Sequence, residues 1–124
     1  AMAGGIAQLT ECLKPGFYDK LEKKTKRLVN GIMEGVLSDD PFHIFYIGSI
    51  FWPAFTHKKE ITRASDIDPK SMDKFKKLHA ALLERRVYLG PSGYEVGFVS
   101  ATHTDRDIDI TIKAFRESLK IALQ

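Results

Sequence analysis

The chain has 124 residues, 44% of them hydrophobic and 28% charged, a globular composition that excludes intrinsic disorder and leaves room for one domain around one core. Its 19 Lys and Arg against 16 Asp and Glu give a formal charge of +3, too small a surplus to point to nucleic acid. A single cysteine, Cys12, excludes an internal disulfide and fits a reducing compartment, most simply the cytoplasm. No Cys/His pair has zinc spacing. No apolar run reaches the ~18 residues of a membrane span, and the first residues lack the basic start of a signal peptide, so neither membrane nor nucleic acid is an expected partner.

Met2, Ile6 and Leu9 fall at helical spacing with no capping residue before them. Such a pattern fits a helix that has lost its beginning, or a frayed natural terminus. Lys14-Pro15-Gly16 breaks it. Phe17, Leu21, Leu28, Ile32 and Val36 then mark the apolar stripe of a second helix. Lys20, Lys23, Lys24 and Lys26 lie opposite, interleaved with Asp19 and Glu22, and read as a solvated face rather than an anion site. After the loop signal Ser38-Asp39-Asp40-Pro41, residues 42–47 and 50–55 form two apolar runs joined by Gly48-Ser49. They predict a hairpin with glycine first in a type II′ turn. Pro53 cannot donate to a ladder, which puts the second strand at an edge there or bulges it. His43 reads as a structural strand residue and His57 as part of a polar loop.

Asp68-Pro69 predicts the start of a third helix, with aspartate as N-cap and proline at the first helical position. Met72, Phe75, His79 and Leu82 share one face of it, where His79 reads as a satisfied residue at the core edge. Val87-Tyr88-Leu89 is extended, Gly90-Pro91-Ser92-Gly93 is a turn, and residues 95–100 predict a strand. Thr104-Asp105-Arg106-Asp107 is a capping box that opens the last helix, with Ile108, Ile112, Phe115 and Leu119 as its core stripe. Asp105, Asp107 and Asp109 invite a calcium reading, but Ile110 and Arg116 stand where an EF-hand loop needs glycine and glutamate. The order of helix, helix, hairpin, helix, strand, helix predicts an α+β domain of two layers, a small antiparallel sheet with helices on one face.

The motifs of autonomous catalysis are missing. There is no nucleophile elbow, no P-loop and no dinucleotide fingerprint. Gly90-Pro91-Ser92-Gly93 precedes a strand, so it lacks the helix N-terminus that receives phosphate. The residues by themselves describe a globular α+β domain with no active site of its own.

Several runs nonetheless carry a resemblance. Residues 87–109, VYLGPSGYEVGFVSATHTDRDID, resemble the C-terminal signature of the glutamate-1-semialdehyde 2,1-aminomutase family. His79-Ala80-Ala81-Leu82-Leu83-Glu84-Arg85 is similar to that family's His-Ala-Leu-Leu-Glu-Arg run, Gly48-Ser49-Ile50-Phe51 to its Gly-Ser-Met-Phe, and Ala1-Met2-Ala3-Gly4-Gly5 to its Ala-Met-Ala-Ala-Gly. The likeness is specific from Leu78 to Asp109 and looser in the lysine-rich helix and near His57. It departs at Tyr46, commonly arginine or another residue in the family, and at Ile50, which replaces methionine.

The resemblance implies the C-terminal small domain of a fold-type I pyridoxal-phosphate enzyme close to the class III aminotransferases. Residues 1–124 would be that single small domain, and residues 1–13 the end of a truncated interdomain helix. The family's members are cytoplasmic homodimers that convert glutamate-1-semialdehyde to 5-aminolevulinate, the tetrapyrrole precursor. Their large domain carries the cofactor lysine, the phosphate-binding groups and most of the dimer interface. The implied fragment would be inactive alone, bind no cofactor, and fold as a monomer with exposed apolar surface. The resemblance also implies a substrate-binding role for Glu95, the glutamate of Ser92-Gly93-Tyr94-Glu95. A carboxylate there repels a substrate carboxylate and attracts an ammonium, which suits an aminomutase whose intermediate, 4,5-diaminovalerate, has two amines and one carboxylate. Glu95 could instead anchor an arginine from elsewhere in the enzyme, or simply face solvent at a strand entrance. Two other readings stay open: the small domain of another class III aminotransferase, and a non-catalytic binding module of the same fold.

Overall fold

The computed structural model describes residues 1–124. Helix α1 spans Met2–Cys12 and buries no residue. Its apolar positions are open to solvent, with Met2 86% and Ile6 67% exposed. Cys12 is half-buried. Helix α2, Phe17–Met33, buries Leu21, Thr25, Leu28, Val29 and Ile32 along the expected stripe. Val36 lies just past its end, still packed on the core. Buried Thr25 is satisfied within the helix, its Oγ1 donating to the Leu21 carbonyl at 3.0 Å.

Strands β1 (His43–Ile47) and β2 (Ile50–Ala54) pair antiparallel, with Ile47 opposite Ile50 across the turn. Gly48 has φ +55° and Ser49 stays at negative φ, as a type II′ turn with glycine first requires. Strand β3, Gly97–Phe98, pairs with Ile50 and Phe51 only, so the sheet order is β1-β2-β3. β2 is therefore central at its start and an edge at Pro53. Pairs alternate outward from the turn, which leaves the Pro53 nitrogen facing away from β1, where no ladder bond is needed.

The strand expected over residues 95–100 shrinks to two residues because the chain curls at both ends. Before it, the Glu95 N–H donates to the Ser92 carbonyl at 3.0 Å. After it, the Val99 N–H reaches the Ser49 carbonyl at 2.8 Å, and the Ser100 N–H then turns to His103 Nδ1 at 3.1 Å.

Helix α3 is Ser71–Glu84, two residues later than Asp68-Pro69 predicted. Asp68 does cap, its carboxylate accepting the Lys70 N–H at 2.9 Å. The first bonds, however, run from Ser71 to Asp68 and from Met72 to Pro69, a 3-10 turn that precedes the α-helix proper. At the other end the Val87 N–H bonds the Leu82 carbonyl and the Arg86 N–H the Leu83 carbonyl, both at 2.9 Å, a Schellman cap. Arg86 holds its left-handed position at φ +62°. His79 is half-buried with Nε2 3.2 Å from the Leu89 carbonyl, so it fastens the extended 87–89 segment to α3 as a satisfied core-edge residue. Helix α4, Asp105–Ala122, opens with the expected capping box and buries Ile108, Phe115 and Leu119.

The core sits between these helices and the inner face of the sheet, which contributes Ile44 and Phe51 to the cluster around Ile32, Leu78 and Phe115. Alternation puts Phe45, Trp52, Ile47, Ile50 and Phe98 on the opposite face, where Ile47 is 78% exposed. This is the two-layer α+β arrangement. No helix is long and apolar enough to cross a membrane.

The cap of α3 offers a direct stability test. A left-handed arginine costs about 1–2 kcal/mol that glycine avoids, against glycine's larger loss of chain entropy. Arg86→Gly is expected to stabilise the chain by about 0.5–1 kcal/mol, read as a higher urea midpoint at unchanged slope. A lower midpoint would show that the arginine side chain contributes more than its backbone costs.

Candidate functional site

The main groove, about 490 Å³, runs between the segment after α3, strand β3 and the first turns of α4. Buried Leu28, Phe51, Val99 and Ile108 form its floor. Its charged and polar walls come from Arg86, His103 and Asp107.

Asp107 is bound into the cap of α4. Its Oδ2 accepts the Thr104 N–H and the Thr104 hydroxyl, each at 2.7 Å, while Thr104 Oγ1 accepts the Asp107 N–H at 3.2 Å. These bonds from Thr104 hold the Asp107 carboxyl below the usual aspartate range. Asp105 and Asp109, the rest of the acidic trio, each meet Arg27 at 2.7 Å, so a side chain already neutralises them. Lys24 departs from the solvated face predicted for it. Its Nζ donates to the carbonyls of Ala101 and His103 at 2.7 and 2.6 Å, tying the loop before α4 to α2.

Glu95 lies on the exposed loop beside the groove. Gly90 and Val96 at the two ends of that loop line the groove, whereas Glu95 itself does not. Its carboxylate folds back against Gly90 and accepts the Ser92 N–H at 3.2 Å. A residue of strand β2 also reaches this loop. Trp52 Nε1–H donates to the Gly93 carbonyl at 2.7 Å across 41 positions. No local pattern announces a bond between a strand indole and a distant turn. His43 and His57 stay apart from this region, His43 edge-on to Phe45 and His57 exposed in its polar loop.

The residues of this groove do not fit pyridoxal phosphate. That cofactor needs a lysine for its Schiff base and a cradle for its phosphate. The groove contains no lysine. The one long helix that begins there, α4, presents Asp107 in its first turn on the groove wall, and its carboxylate repels a phosphate.

No protein-family model matches the chain. Its fold is similar to part of an omega-transaminase from Sphaerobacter thermophilus, with a TM-score of 0.74 and 20% identity over 89% of this chain and 25% of that one. It is similar likewise to part of a transaminase solved with PLP bound, with a TM-score of 0.74 and 22% identity over 98% of this chain and 27% of that one. At such identities the likeness is one of fold. The chain thus has a fold found within transaminases, and it spans about a quarter of the length of the solved ones it matches.

Two outcomes follow from the site. At micromolar pyridoxal phosphate, borohydride reduction and mass spectrometry of the chain should find no stoichiometric adduct on one lysine; a single fully labelled lysine would overturn the misfit. The second concerns pH. The folded pKa of Asp107 is depressed, so its stabilisation is present above the unfolded value of about 4 and is lost as pH falls from there through the lower folded value. Protection factors at Asp107 and Ile108, the exchange rates referred to the intrinsic rate at each pH, should fall on that descent, and Asp107→Asn should flatten the response. An unaltered acid limb in Asp107→Asn would remove Asp107 as its source.

Proposed function

We propose that the chain is the C-terminal small domain of a longer pyridoxal-phosphate enzyme, a glutamate-1-semialdehyde 2,1-aminomutase that forms 5-aminolevulinate for tetrapyrrole synthesis. A large domain of the same protein supplies the cofactor lysine, the phosphate cradle and most of a homodimer interface, and the enzyme works in the cytoplasm. Residues 1–13 belong to the helix that joins the two domains. The observation that carries this reading is the coincidence of two likenesses. The fold resembles part of transaminase structures at a TM-score of 0.74, and the stretch from Leu78 to Asp109 resembles the aminomutase signature. The bare apolar side of α1 and the exposed outer face of the sheet are consistent with surfaces that a larger body covers. A second reading, the small domain of another class III aminotransferase, is favoured by the transaminase descriptions of the matched structures.

In the aminomutase reading Glu95 is substrate-binding. Its negative charge, on a loop beside the groove, attracts an ammonium and repels a carboxylate. The chemistry of amino transfer belongs to the cofactor, and this domain contributes charge and shape at the edge of the substrate space. Glutamine is a clean probe because its amide oxygen can still accept the Ser92 N–H, so the turn survives while the charge goes.

In the full-length protein supplied with cofactor, glutamate-1-semialdehyde should yield 5-aminolevulinate. Glu95→Gln should lower the rate some tenfold to a hundredfold, about 1–3 kcal/mol of transition-state stabilisation, and alter release of the diamine. An unchanged rate with unchanged diamine release would leave Glu95 as surface. Transfer of amino groups to an external oxo acid, without 5-aminolevulinate, would favour the aminotransferase instead.

A further inference from the structure

We propose that Trp52 is the positioning residue of the 90–95 loop, its indole N–H fixing through the Gly93 carbonyl the turn that carries Glu95. The other hydrogen bonds of the loop are internal. Glu95 N–H to the Ser92 carbonyl, Tyr94 N–H to Ser92 Oγ and Ser92 N–H to the Glu95 carboxylate span three residues or fewer, at 3.0, 3.3 and 3.2 Å. They shape the turn but do not place it on the domain. The Trp52–Gly93 bond, at 2.7 Å, is the one hydrogen bond from residues 90–95 to the rest of the protein.

The donor is itself held still. Trp52 sits in β2 opposite Phe45, and the two rings stack at 5.6 Å with 27° between their planes. The acceptor is clamped from the other side. Gly93 is buried, and a Cβ there would come within 2.7 Å of Met72 Sδ and 2.9 Å of Phe75 Cγ, so the loop backbone lies directly on α3. Breaking a half-buried bond of this kind is costly, because it leaves the Gly93 carbonyl without its partner where water reaches it only in part. The loop that borders the groove thus inherits its position from a strand of the sheet.

The catalytic consequence rests on the aminomutase reading; the anchoring does not. In the 124-residue chain, Trp52 is replaced by 3-benzothienylalanine, which keeps the ring shape but has sulfur in place of N–H, and separately by phenylalanine. Amide exchange at Ser92 and Glu95 should rise about fivefold or more in both, with Phe115 and Leu119 in α4 unchanged. Unchanged loop exchange in the benzothienyl chain overturns the proposal, and so does a change confined to the phenylalanine variant, since Trp52 would then act by packing alone. In the full-length enzyme, Trp52→Phe should lower kcat about fivefold, and less than twofold when Glu95→Gln is already present. Equal losses in both backgrounds overturn the positioning role. Faster loop exchange together with a fully active Glu95→Gln enzyme supports the anchoring and removes Glu95 from catalysis.

Discussion

The packing of α4 between α2 and α3 is the constraint on which the rest of the domain depends. Phe115, Leu119 and Ile108 on α4 meet Leu28 and Ile32 on α2 and Leu78 and Leu82 on α3 in one cluster, and burying each large apolar side chain is worth about 1.5–3 kcal/mol. The approach to α2 is close because Gly31 has no side chain where Ile112 of α4 lies. Arg116 seals that seam, donating to the Gly31 carbonyl at 2.7 Å and meeting Glu34 at 2.8 Å. Arg27 does the same at the start of the helix with Asp105 and Asp109. Exposed pairs of this kind contribute about 0–1 kcal/mol each, so they set register while apolar burial supplies the stability.

With α4 in place, the sheet has only one face to cover. The inner side of the hairpin closes the core with Ile44 and Phe51, and the outer side is left to the loops and to solvent. Part of that outer side is used: Trp52 turns its indole to the 90–95 loop, and Met72 and Phe75 hold the same loop from α3. The hairpin tip is not used, since Ile47 and Phe98 remain open. Together with the bare stripe of α1, this makes a domain whose apolar surface is unevenly finished, closed around α4 and open at the hairpin tip and first helix.

The groove follows from the same geometry. β3 pairs with β2 for two residues and then leaves, because the chain must reach the capping box of α4. Lys24 holds the intervening loop by two carbonyls, and His79 holds the 87–89 segment on the opposite side. The space between these two fastened segments is the groove, floored by the core itself. Glu95 stands beside it with its carboxylate tied to its own turn, so its charge has a defined place without being buried.

Local chemistry made much of this legible in the sequence. The Thr104 capping box, the Gly48-Ser49 turn, the break at Lys14-Pro15-Gly16 and the stripes of α2 and α4 each depend on residues within a few positions of one another, and each stands where the sequence put it. The α+β class followed from their order. Tertiary structure decided what depends on distant partners: that β3 is two residues long, that β2 is central at its start, that Lys24 and Arg27 serve the start of α4, and that Trp52 anchors a loop 41 residues away. Periodicity and capping encode the free energy of one turn or one helix face. The partner of an indole N–H or a guanidinium is chosen only when packing brings two remote segments to within a hydrogen bond of each other.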